Sequence, residues 1–213
     1  ATTEVLSVDI FPAGWTWLSI NTTRTDMSIN TVLSTLSPSA EDIIKSQTDF
    51  AQYSTVTNMW IGALDTIDHR STYLLKLGGQ DTLSTVGYPI DTELDTIPIN
   101  EGWTWIGYTP QESHEINLAL ASLDTVVITG DLLKSQTTYA QYLENFGWYG
   151  SMDYMDPGEG YFIRSSNDGV LLYPFSVPQN TAVEPSDEPS VRDVADNAPD
   201  WEVNPSDFYG TMN

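Results

Sequence analysis

Twelve residues of this chain occur twice. Asp42-Ile-Ile-Lys-Ser-Gln-Thr-Asp-Phe-Ala-Gln-Tyr53 returns as Asp131-Leu-Leu-Lys-Ser-Gln-Thr-Thr-Tyr-Ala-Gln-Tyr142, with eight positions identical. Three of the other four are apolar or aromatic swaps. The same landmarks surround each copy in the same order. Gly14-Trp-Thr-Trp17 and Gly102-Trp-Thr-Trp105 precede them, and Trp60-Ile-Gly62 and Trp148-Tyr-Gly150 follow. Tyr73-Leu-Leu-Lys76 and Tyr161-Phe-Ile-Arg164 come next, then Tyr88-Pro89 and Tyr173-Pro174. Equivalents stay 85 to 89 residues apart. Whatever fold this chain takes, it must accommodate one unit of roughly 80 residues used twice in tandem.

Charge narrows the partners. Seven Lys plus Arg against thirty Asp plus Glu give a net charge of -23 over 213 residues. Nucleic-acid binding needs the opposite sign, and anionic membranes are disfavoured for the same reason. No apolar run reaches the roughly 18 residues of a membrane span, so no membrane insertion is expected. The absence of Cys excludes disulfides, thiolate metal sites and Cys nucleophiles. The start at Ala1-Thr-Thr reads as a processed product or an excised fragment.

Periodicity gives each repeat a mostly antiparallel sheet and one short helix. Val5 to Phe11 alternates as a strand. In Gly14 to Ile20, Trp15 and Trp17 share one face and Thr16, Leu18 and Ile20 the other. Both faces being apolar, a central strand is expected there. Ile29, Val32, Leu33 and Leu36 have helical spacing with Asp26 as N-cap, matched by Ile116, Ala119, Leu120 and Leu123 behind Ser113. The fold class is therefore α+β. The expected boundaries are 1-90 for the first module, 91-99 for an acidic linker and 100-175 for the second module. Residues 176-213 form an extended, acidic, Pro-rich tail with four Pro between Val177 and Asp200. Trp201, Phe208 and Tyr209 are its terminal anchors, suited to assembly with a neighbouring copy.

The motifs Gly-Trp-Thr-Trp, Lys-Ser-Gln-x-x-Phe/Tyr-Ala-Gln-Tyr, Trp-x-Gly and Met155-Asp-Pro-Gly-Glu-Gly-Tyr161 resemble a repeat of large secreted surface proteins of marine Bacteroidota-type bacteria and some algae. The resemblance covers roughly residues 12-175. It implies an extracellular, non-catalytic module that sits in series with other domains, and it transfers no catalytic residue. The first repeat departs from the pattern at Asp68-His-Arg-Ser-Thr72, where the Pro-Gly-Glu-Gly turn is lost.

Several residues are candidates for chemistry. Lys45 and Lys134 are equivalent, as are Lys76 and Arg164. The leading reading holds each in a local acid or carbonyl cluster, and the alternative makes them anion sites. Trp15 and Trp103 are read as structural repeat positions, large aromatics being the bulk of a small core. Trp60 and Trp148 are likewise paired and read first as core. Around Trp148 the second repeat adds Phe146, Tyr149 and Tyr154, and exposed these four would form a glycan or protein patch. Asp65 with Asp68 and Asp153 with Asp156 suit turns first and calcium second. As a glycosidase pair the same acids are the weakest reading. His69 and His114 are not equivalent and lack any nucleophile motif. Asn21-Thr22-Thr23 is a glycosylation sequon.

These features lead to a non-catalytic, extracellular structural or adhesive repeat module, a subunit or fragment of a surface assembly or filament. Its expected partners are other copies of itself, neighbouring domains of a larger surface protein, or glycans. A carbohydrate-binding module using the second repeat's aromatics is the alternative.

Overall fold

A computed structural model describes residues 3–174 of the chain, and these all lie in one compact unit. Trp201, Phe208 and Tyr209, with the rest of the expected tail, lie outside the described residues. The first half runs β1 (Val5–Phe11), β2 (Gly14–Leu18), β3 (Thr22–Thr23), helix α1 (Ile29–Val32), β4 (Ile43–Lys45), β5 (Phe50–Ser54), β6 (Met59–Gly62), β7 (Tyr73–Leu77) and β8 (Asp81–Pro89). The second runs β9 (Thr96–Ile99), β10 (Gly102–Gly107), β11 (His114–Glu115), helix α2 (Ile116–Ala119), a 3-10 turn (Ala121–Leu123), β12 (Leu132–Lys134), β13 (Tyr139–Leu143), β14 (Gly147–Gly150), β15 (Tyr154–Met155), β16 (Gly160–Ser165) and β17 (Gly169–Leu172). The fold is mostly antiparallel sheet with two short helices.

Two five-stranded sheets dominate, in the orders β2-β7-β4-β5-β6 and β10-β16-β12-β13-β14. Each inner face packs its own core. The first holds Leu18, Ile44, Ala51, Trp60, Tyr73 and Leu75, with Ile29, Val32 and Leu33 from the α1 region. The second holds Ile106, Leu133, Ala140, Trp148, Tyr161 and Ile163, with Ile116, Ala119 and Leu120 from the α2 region. A helix asparagine ties each helix to its sheet. Trp60 N donates to Asn30 Oδ1 at 2.7 Å, and Trp148 N donates to Asn117 Oδ1 at 2.7 Å. The glycine of each Trp-x-Gly motif follows from close approach. A Cβ on Gly62 would meet the Phe50 carbonyl oxygen at 2.1 Å, and one on Gly150 the Tyr139 carbonyl oxygen at 2.2 Å.

The structure corrects four sequence expectations. First, each helix is one turn of four residues: after α1 come Ser34, Thr35 and Ser37, poor helix interiors, and after α2 the chain tightens into the 3-10 turn Ala121–Leu123. Second, the caps are Ser28 and Glu115. Glu115 accepts from Asn117 N and Leu118 N, whereas the Ser113 hydroxyl donates to Asp156. Asp26 instead accepts from Ser28 N and the Thr31 hydroxyl, and the Thr31 bond foremost lowers its carboxyl below the ordinary range. Third, residues 91–99 are not wholly a linker. Thr96–Ile99 is a strand paired with β17, and Ile97 and Ile99 are core residues. Pro98 hid the alternation, since proline is tolerated where a strand presents no N–H to a ladder. Fourth, β2 is an edge strand of its sheet, not a central one.

Buried acids close the start of each repeated stretch. Asp42 accepts from Ser39 N at 2.8 Å, the Ser39 hydroxyl at 3.1 Å and Gly78 N at 2.8 Å. Asp131 accepts from Ile128 N at 3.0 Å, Ser166 N at 3.0 Å and the Ser166 hydroxyl at 2.6 Å. Both carboxylates are buried, so each pins two separate backbone segments to the strand that follows it.

Candidate functional site

Strand alternation decides what the two large sheets show outward. In the first sheet one outward row is Trp15, Lys76, Ile43, Gln52 and Ile61, and the next is Trp17, Leu74, Lys45 and Phe50. In the second the rows are Trp103, Arg164, Leu132, Gln141 and Tyr149, then Trp105, Phe162, Lys134 and Tyr139. At about 4.8 Å per strand, a five-strand row spans roughly 19 Å. No outward position of these ten strands is Asp or Glu. Yet thirty acids are spread over the chain, and four of its seven Lys and Arg sit on these faces.

Lys45 Nζ lies 5.4 Å from the ring centroid of Trp15, and Lys134 Nζ lies 5.7 Å from that of Trp103. The expected acid or carbonyl clusters are not what these lysines meet. Among the described residues they form no ion pair, and each ammonium rests on the electron-rich face of a tryptophan. Arg164 does hold a carbonyl, donating from Nη2 to Gly130 O at 3.1 Å. Trp15 and Trp103 are therefore surface platforms, 41% and 40% exposed. Of the paired tryptophans only Trp60 and Trp148 belong to the cores.

The two faces meet at an aromatic stack. Phe162 lies between Trp17, at 3.9 Å and 21°, and Trp105, at 4.2 Å and 14°. Reciprocal glutamines flank it. Gln136 Nε2 donates to Trp15 O at 2.8 Å while its Oε1 accepts from Trp17 N at 2.9 Å. Gln47 Nε2 donates to Trp103 O at 2.8 Å while its Oε1 accepts from Trp105 N at 3.0 Å. Each half's Lys-Ser-Gln turn thus supplies an amide that caps the edge strand of the other half, as a neighbouring strand would. Gln136→Ala should lower stability by about 1–2 kcal/mol, the scale of two hydrogen bonds at a partly wet edge. Urea unfolding checks this, and an unchanged midpoint would mean that water replaces the amide.

Behind the stack the halves are locked asymmetrically. The buried Thr72 hydroxyl donates to Ile106 O at 2.6 Å and accepts from Tyr161 N at 2.8 Å. The Ser19 hydroxyl donates to Glu159 O at 2.7 Å and accepts from Tyr108 N at 3.1 Å. The equivalents of Thr72 and Ser19 in the second half are Gly160 and Gly107. A Cβ on Gly160 would come within 2.5 Å of Thr72 Cγ2, and one on Gly107 within 2.1 Å of His69 O.

A crevice beside this lock is lined by Asp9, Trp17, Gln136, Gly158 and Glu159. Desolvation is the largest cause that raises both the Asp9 and the Glu159 carboxyl above the ordinary range. A raised acid binds its proton more tightly in the folded state, so its penalty appears as pH rises through the folded pKa. Glu159→Gln should therefore raise Tm at pH 7, with the difference vanishing below about pH 4, where both side chains are neutral. Thermal melts at the two pH values test the sign.

The other candidates separate. Phe146, Tyr149 and Tyr154 are 81%, 72% and 57% exposed, on the turn after β13, on β14 and on β15. Trp148 is not with them. It is buried at 4%, edge-on to Tyr142 at 5.6 Å, because alternation turns it inward between Gly147 and Tyr149. Asn21 is buried and its Nδ2 donates to Pro110 O at 3.1 Å. The sequon nitrogen is thus engaged inside the fold, where a glycan does not fit.

The main chain at the paired acids makes local bonds. Asp68 N and Asp156 N each donate to a tyrosine hydroxyl, Tyr73 and Tyr161, at 2.7 Å. Burial pushes the Tyr73 hydroxyl up to about 12 and Tyr161 still higher. Asp65 O and Asp153 O accept from Ile29 N and Ile116 N. Among the described residues no three acidic or imidazole groups converge as metal ligands would. His69 Nε2 lies 3.2 Å from Asp95, which also binds Arg70, and His114 Nδ1 lies 2.7 Å from the Tyr108 hydroxyl.

The reciprocal glutamines were missed from sequence. Their signal was an identical Gln in an exposed turn of both copies, with no chemistry of its own to explain it. No protein-family model, curated protein or solved structure matches this chain.

Proposed function

We propose that the chain is a non-catalytic structural or adhesive module of an extracellular surface assembly. One unit is used twice, and it engages its partner through the outward faces of the two large sheets. One observation carries this reading: a strongly acidic protein keeps acids off these faces and places aromatic and cationic side chains there. Folded proteins seldom expose so contiguous a set of large aromatics without a partner. The carboxylates of Asp65, Asp68 and Asp156 bond locally, to the Thr66 hydroxyl, Arg70 N and the Ser113 hydroxyl. The resemblance to secreted surface repeats supports the extracellular setting.

The test compares the chain with a Phe50→Ser/Tyr139→Ser/Tyr149→Ser variant. The readouts are glycan-array binding and self-association by sedimentation. The wild type should bind a polymer or a second copy, and the variant should lose that binding with an unchanged Tm. Indifference of the variant, or glycan hydrolysis abolished by Asp153→Asn, would overturn the reading.

A second reading places glycan binding on the second repeat alone. It is favoured by Phe146, Tyr149 and Tyr154, the more exposed set, but it loses Trp148 as a platform. It expects Tyr149→Ser to remove binding and Phe50→Ser to spare it.

A further inference from the structure

The ligand class can be argued from the chemistry of the faces, and this rests on the adhesive reading above. We propose that the paired outward faces bind an acidic polysaccharide of the polyuronate kind, a chain of sugar rings with about one carboxylate per ring.

Three observations converge. The first is charge. Lys45, Lys76, Lys134 and Arg164 stand on acid-free faces of a chain with net charge -23. The cationic field of these faces attracts an anion at contact range, while the net charge opposes nucleic acid, anionic membranes, a second copy and a polyanion alike at long range. The second is the company each cation keeps. Every outward row carries one cation among apolar or aromatic neighbours: Lys76 beside Trp15, Lys45 beside Phe50, Arg164 beside Trp103, Lys134 between Phe162 and Tyr139. The open aromatic faces of these rows, Phe50, Tyr139 and Tyr149, take sugar rings, and ammonium and guanidinium groups take their carboxylates. One cation per row suits one carboxylate per ring. A densely sulfated or phosphorylated polymer would bring more charge than the rows can meet.

The third is duplication. The same row chemistry recurs on both sheets, which the Trp17–Phe162–Trp105 stack joins. A rigid pair of like sites gains little from a small anion. It gains most from a repeating polymer, because the second contact becomes intramolecular.

The experiment is affinity electrophoresis and calorimetry of the whole chain. The probes are polygalacturonate, dextran, dextran sulfate and poly-glutamate, at about 50 and 500 mM salt. Polygalacturonate should bind at low salt and weaken at high salt, with dextran and poly-glutamate at least tenfold weaker. The Lys45→Gln/Lys134→Gln and Phe50→Ser/Tyr139→Ser variants should each lose at least tenfold while their Tm stays within a few degrees.

Equal binding of poly-glutamate would mean a general polyanion surface. Preference for dextran sulfate would mean a sulfated ligand. Each would overturn the proposal. Binding of dextran that ignores the lysine variants would overturn the acidic class while leaving the adhesive reading intact. Self-association lost in the aromatic variant, with no glycan bound, would do the same. Absence of both glycan binding and self-association would sink the two readings together.

Discussion

Asp131→Ala should cost about 3–5 kcal/mol of stability, the largest effect expected of a polar substitution here. The carboxylate is fully buried and accepts three hydrogen bonds, two of them from the backbone N–H groups of Ile128 and Ser166. Hydrogen bonds to charged groups contribute roughly 1.5–3 kcal/mol each, and a buried donor left without a partner carries its own desolvation penalty. Alanine strands two such donors at once. For a chain of this size the loss corresponds to a fall in Tm of roughly 6–20 °C. Asp131→Asn keeps one acceptor oxygen and should cost less. Urea unfolding of the three proteins decides the matter. A loss below about 1 kcal/mol for alanine would show that water or backbone shift satisfies the freed donors.

Thr72→Val should cost about 2–4 kcal/mol, although it nearly keeps the shape of the side chain. The hydroxyl bridges Tyr161 N and Ile106 O in a fully buried position. A methyl there leaves a donor and an acceptor facing hydrocarbon. Thr72→Ser retains the bridge and should fall well short of that loss. Because the groups being bridged belong to the other half, the valine variant should also loosen the two halves together. Hydrogen exchange read at Tyr161 and Ile106 would report this as faster opening. Equal stability of the valine and serine variants would show that the hydroxyl contributes nothing.

The sheet-rich fold, the inward core and most strands were legible because alternation and spacing are local properties. Val5 to Phe11 reads as a strand and is one. What side chains do at edges was not legible. Trp15 and Trp17 alternate as they would in a central strand, and alternation cannot tell a neighbouring strand from a glutamine amide that imitates one. From sequence Trp148 reads both as core and, with Phe146 and Tyr149, as part of a surface patch, and period-two geometry decides for the core. Asn21 has a sequon's three letters, and only the packing of Pro110 against it shows the nitrogen engaged. The outward rows needed register, which brings Lys76 beside Trp15 across 61 residues of chain.

The divergence between the copies held more than it yielded. Setting Ser19 against Gly107 and Thr72 against Gly160 gives hydroxyl against glycine twice. Where a duplicated unit loses a side chain on one side only, contact between the copies is a physical reason to look for.

The exchange of Gln47 and Gln136 has an arithmetic consequence. Each repeat offers one edge and one plug, and two repeats use up both. The pair is therefore a closed set with no place for a third. A longer protein built from this unit should grow in twos. An odd repeat would leave an unsealed edge beside a tryptophan, with a free glutamine reaching for a strand elsewhere. Parity, rather than length, would then set which members of such a series stay soluble as single chains.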